Sequence, residues 1–110
     1  IRNTVKDEGV KINLLHGINP STVSDTDCPA WNKVALSVAS TWRGCLVSPY
    51  LMVQCSDSRH YGRLSHHVYR FSAMDLTAEE RATIHGNNER IRVETIHRSV
   101  EFYIRLMKLC

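Results

Sequence analysis

The chain has 110 residues, 43% of them hydrophobic and 23% charged, with 14 Lys and Arg against 11 Asp and Glu for a net charge of +3. That length suits a single domain over residues 1–110 with a modest core. The charge is too small to call for a nucleic-acid partner, and no apolar run approaches the roughly 20 residues of a membrane-spanning helix, so neither is expected.

Reading from the start, Val10, Ile12 and Leu14 alternate with Lys11 and Asn13, the pattern of a half-buried strand. A polar, turn-rich stretch follows and ends at Cys28-Pro29, a helix start with proline at the first helical position. The helix is expected from about 29 to 44. Its stripe of Trp31, Val34, Ala35, Val38 and Trp42 puts both indoles on one buried face. Ser48 and Pro49 break the pattern, and Tyr50 to Cys55 read as a second strand. A basic loop over 59–65 leads to a third strand with His67, Tyr69, Phe71 and Ala73 on one face.

Thr77-Ala-Glu-Glu80 matches a capping box, and Gly86 is placed as a helix stop, which predicts a short helix over about 78–85. Ile91, Val93 and Thr95 then alternate with charged residues as a fourth strand. Residues 100–110 fit either a strand (Val100, Phe102, Ile104, Leu106) or a helix (Ile96, Val100, Tyr103, Ile104, Met107). The crowding of β-branched and aromatic residues favours the strand. The expected fold is therefore α+β: a βαββαβ-like sandwich in which two helices cover an antiparallel sheet of four to five strands.

Four cysteines, Cys28, Cys45, Cys55 and Cys110, read as two disulfides in a secreted, extracellular protein. The start at Ile1 fits a mature product freed of a signal peptide. A helix over 29–44 would hold Cys28 and Cys45 roughly 25 Å apart, beyond the ~7 Å limit for a disulfide. The βαβ path favours Cys28 with Cys55 and Cys45 with Cys110; Cys45 with Cys55 and Cys28 with Cys110 is the rival.

Chemistry is harder to read. Arg59, His60, Arg63 and Arg70 lie in an acid-free stretch and are the candidate partner-binding residues, suited to an acidic partner surface. No metal site is expected, because adjacent His66 and His67 on a strand point to opposite faces and no paired histidines sit on a helix. No cofactor motif is present. A secreted ribonuclease could use His60 or His67 with Glu94, Arg92 and His97 as acid, base and phosphate contacts.

Cys28 entering the first helix, Cys55 ending the next strand, the βα unit through Thr77 to Gly86, and Cys110 closing the chain together resemble the killer-toxin-like α/β sandwiches and avirulence effectors secreted by fungi that attack plants. That resemblance implies a non-enzymatic effector or virulence protein that binds a host or partner protein, sometimes beside a second effector. The alternatives are the ribonuclease and a killer toxin acting on a target-cell membrane or channel through Arg59, Arg63 and Arg70.

Overall fold

The structure, a computed structural model, describes residues 1–54 and 56–110. Its elements are α1 (Arg2–Val5), α2 (Pro29–Thr41), α3 (Ser58–Tyr61), α4 (Ala78–Ala82) and α5 (Val93–Leu109). There is no strand among the described residues, so the expected α+β sandwich is overturned.

α2 forms where its stripe predicts. Cys28 caps it in an extended conformation and its sulfur accepts from the Trp31 N–H at 3.5 Å, while Pro29 takes the first turn, where no intrahelical N–H partner is needed. Buried Ser37 turns its hydroxyl back on the Lys33 carbonyl at 2.8 Å, so its polarity is satisfied inside the helix. Val38 is buried, and Val34 and Trp42 pack beside it.

α5 replaces both the fourth strand and the final strand. Its inward face is Thr95, Ser99, Phe102 and Leu106, at spacings of four, three and four; Thr95 and Phe102 are 1% exposed. The β-branched residues that favoured a strand are tolerated because packing outweighs propensities of a few tenths of a kcal/mol per residue. Phe102 meets Trp42 at a ring-centroid distance of 5.8 Å and Phe71 at 5.1 Å. With Val38 and Ala73 it makes the core.

The segment expected as the third strand has no regular structure and runs past both long helices as a strap. Ala73 is buried, Phe71 packs on Phe102 with tilted rings, and Tyr69 meets Trp31 edge-on at 5.5 Å, but burial does not alternate: His67 and Phe71 are exposed while Val68 and Arg70 are half-buried like Tyr69. Its hydrogen bonds go to the loop before α2 instead of a ladder. The Ser24 hydroxyl accepts from the Val68 N–H and donates to the Val68 carbonyl, both at 2.9 Å, and Arg70 donates to Ser21 Oγ at 2.6 Å. With those groups engaged by side chains, the strap builds no sheet with its neighbours. Residues 10–14 and 50–54 have no regular structure, and Leu14, Leu15, Leu46 and Val53 stand exposed.

The disulfide expectation is corrected as well: Cys28, Cys45 and Cys110 are free thiols, and Cys55 lies outside the described residues. The Cα radius of gyration is 19.1 Å, against about 13 Å for a compact chain of ~100 residues. A small core on a widely spread chain makes each core side chain count. Phe102→Ala should cost about 3–5 kcal/mol in urea unfolding, as expected for a fully buried aromatic; a loss under about 1 kcal/mol would place Phe102 outside the core.

Candidate functional site

The tightest local geometry lies between α4 and α5. The capping box forms as expected, with the Thr77 hydroxyl accepting from the Glu80 N–H at 3.1 Å and Glu80 Oε2 accepting from the Thr77 N–H at 2.8 Å. The other Glu80 oxygen takes the Arg92 Nε–H at 3.0 Å, so one carboxylate joins the start of α4 to the start of α5. Arg92 also donates to the Asp75 carbonyl at 2.5 Å. The Asp75 carboxylate accepts from buried Thr95 at 3.0 Å and from Arg98 at 3.1 Å. This brace holds residues 75–80 against the first turns of α5.

The brace closes a loop whose tip is His85-Gly86-Asn87-Asn88. α4 ends at Ala82, shorter than expected, and the left-handed residue at the stop is His85 (φ 62°), not Gly86. Asn88 is also left-handed (φ 59°). Asparagine and histidine both adopt this conformation more often than most residues, Lys6 (φ 48°) adopts it at the end of α1, and such backbone also occurs at functional positions. The turn is secured by the Gly86 N–H on the Thr83 carbonyl at 2.8 Å and the His85 N–H on Glu89 Oε2 at 3.2 Å. A β-carbon on Gly86 would come to 3.2 Å from the Thr83 oxygen, so this position also favours glycine. The His85 side chain is exposed. It offers one nitrogen donor or proton carrier, and among the described residues no three His, Cys, Asp or Glu side chains are grouped to hold a metal ion.

A second polar cluster sits at the start of α2. Cys28 Sγ lies 3.0 Å from Tyr69 Oη and 3.5 Å from His67 Nδ1. Tyr69 also donates to the Asp25 carbonyl at 2.6 Å, and the Cys28 thiol donates to the same carbonyl at 3.6 Å. Burial, and then the hydrogen bond with Cys28, push the Tyr69 phenol up to about 12.

The residues singled out by sequence fall in different places. Arg59 and His60 lie on α3; His60 and Arg63 are exposed. Arg70 spends its guanidinium on Ser58 and Ser21, both at 2.6 Å, tying down the strap. The ribonuclease set does not share a strand face. Glu94 pairs with Arg98 one turn along α5, Arg92 belongs to the Glu80 brace, and His67 stands against Cys28. The residue that composition alone did not single out is His85. Its signal was the turn-rich stop itself: the helix ends at Ala82, three residues short of the expected 85, and the left-handed turn falls on His85 directly before Gly86-Asn87-Asn88.

No family model and no solved structure matches the chain. Curated relatives do. It is 37% identical to the N-fatty-acyl-amino acid synthase/hydrolase PM20D1 of Xenopus tropicalis over 98% of this chain and 21% of that protein. It is 33% identical to PM20D1.1 of Danio rerio, again over 98% and 21%, and 28% identical to the probable carboxypeptidase S-like 2 of Dictyostelium discoideum with the same coverage. The chain thus spans about a fifth of the length of the relatives it matches. These relatives overturn the resemblance to fungal effectors and killer toxins and the non-enzymatic effector function drawn from it; they are named as hydrolases and carboxypeptidases.

The brace has a pH signature. Glu80 is held below its usual carboxylate value of 4.5, first by the Thr77 backbone N–H and also by Arg92. A carboxylate with a lowered folded-state pKa contributes stability at higher pH and loses it as pH falls through the folded value, since the unfolded chain then binds the extra proton. Thermal melts from pH 7 down to 3 should show the parent losing Tm below about pH 4.5, with Glu80→Gln flatter across that window because it keeps the capping geometry without the charge. Parallel curves would remove Glu80 from the brace.

Proposed function

We propose that the chain is part of a hydrolase that cleaves an amide bond whose nitrogen belongs to an amino acid with a free carboxylate. The observation that carries this reading is the match over 98% of the chain to both N-fatty-acyl-amino acid synthase/hydrolases and a carboxypeptidase S-like protein. Those names describe one bond type. A fatty-acyl amino acid and a peptide C-terminus each join an acyl carbon to the nitrogen of a residue bearing a free carboxylate, and hydrolysis releases a carboxylic acid and an amino acid.

His85 is the side chain this chain brings to that reaction. Histidine is suited to proton transfer near neutral pH and to donating a nitrogen to an electrophilic centre. The Glu80–Arg92–Asp75 brace sets the loop on which it stands, and its left-handed backbone is the kind of strain that packing maintains at functional positions. Residues outside this fifth of the relatives' length would complete the site. Secretion was inferred from disulfides that Cys28, Cys45 and Cys110 do not form among the described residues; an extracellular place for the hydrolase stays part of this proposal.

The test uses a polypeptide carrying the chain at its relatives' full length, assayed on an N-fatty-acyl amino acid and on dipeptides with a free C-terminus. His85→Asn, chosen because asparagine accepts the left-handed backbone, should lower hydrolysis about 10²–10⁴-fold with an unchanged melting temperature. His16→Ala, in the irregular segment before α2, should leave the rate unaffected. Absence of hydrolysis of either substrate class by the parent, or full activity in His85→Asn, would defeat the reading.

A further inference from the structure

α5 carries more apolar surface than α2 and the strap cover. Val93, Ile96, Val100, Tyr103, Ile104 and Met107 recur at spacings of three and four along the helix and are 44% to 67% exposed. At about 100° per residue they occupy an arc of roughly 100°, centred some 120° from the buried Thr95–Phe102 face. The remaining side is charged and internally paired, Glu94 with Arg98 and Glu101 with Arg105. A helix lying on the surface of a domain needs one apolar stripe; α5 has two, separated from solvent-adapted charge on one side only. Six adjacent apolar side chains also exceed the scattered exposure ordinary for a soluble surface.

The length of the relatives says what covers them. The frog protein matches nearly all of this chain and yet extends about fourfold beyond the match, and the radius of gyration of 19.1 Å shows a chain that does not close on itself. A second face on the longest helix is what a segment of a larger body requires.

We propose that the Val93–Met107 stripe is the surface by which α5 packs against an apolar face of the remaining part of a longer polypeptide. α5 is then sandwiched, with α2 and the strap on one side and the rest of the protein on the other, and the loop bearing His85, which leads directly into α5, is seated next to that body. The inference rests on the reading of the chain as part of a hydrolase, but its test needs no substrate.

In the longer polypeptide, Val100→Cys, Met107→Cys and Glu101→Cys are made separately and labelled with a maleimide, the rates being read by peptide mapping so that native thiols are told apart. Cysteine replaces valine or methionine as a small apolar side chain, so the stripe is retained. Val100→Cys and Met107→Cys should label at least about tenfold more slowly than Glu101→Cys, because a packed thiol reacts only when the contact opens. Equal rates at all three positions would overturn the proposal whatever the enzyme assay shows. A concentration-dependent dimer of the longer polypeptide, dissolved by Val100→Lys with the labelling protection lost on dilution, would overturn it in favour of a second copy.

Discussion

The two long helices and the strap converge on Phe102. Its ring touches Trp42 of α2, Phe71 of the strap and Tyr103 beside it, and it shares the core with Val38 and Ala73. Three segments far apart in sequence meet on that one side chain. Each is also tied by hydrogen bonds away from that ring: α2 by its Cys28 cap and the Ser37 back-bond, the strap by Ser24 and Arg70, and α5 by the Asp75 brace, while the buried Trp42 indole nitrogen has no hydrogen-bond partner. Apolar burial supplies the attraction at the centre, and the surrounding hydrogen bonds choose the orientation, because an unmet buried polar group costs more than a typical hydrogen bond gains.

Local signals in the sequence were legible where a short-range rule decides the outcome. The capping box at Thr77–Glu80 formed with both bonds, and the Trp31–Trp42 stripe turned inward at Val34, Val38 and Trp42. Residues 67–73 alternate as a strand of a sheet would, and no strand forms there. What period-two spacing does not carry is the identity of the partner. The strap is paired through side chains to the 21–28 loop, and a segment satisfied in that way has the same sequence pattern as a strand in a sheet. Residues 100–110 held both periodicities at once. The helix won there because Phe102 and Leu106 must join Thr95 and Ser99 on one face, a constraint set by α2 and the strap and invisible within the segment.

The cysteines misled for a related reason. An even count suggests pairing, yet pairing requires two sulfurs to meet, and Cys28 is occupied as a helix cap beside Tyr69 and His67. Once the disulfides are gone, so is the argument that tied the chain to a small secreted effector. Basic residues in a run drew attention to 59–70, where Arg70 proves to be an internal tether, whereas the candidate with a geometric argument is a single histidine whose significance lies in its backbone angle.

That angle links stability to chemistry. A histidine at φ 62° costs free energy relative to glycine there, and nothing in the turn's own hydrogen bonds requires an imidazole, since Gly86 N–H and Glu89 would close the same loop around asparagine or glycine. The brace of Glu80, Arg92 and Asp75 holds the loop ends regardless of what stands at its tip. The turn's own hydrogen bonds therefore leave the choice of an imidazole at its tip to something other than the turn. Under the proposed hydrolase reading, that choice answers to proton transfer or nitrogen donation at an amide bond.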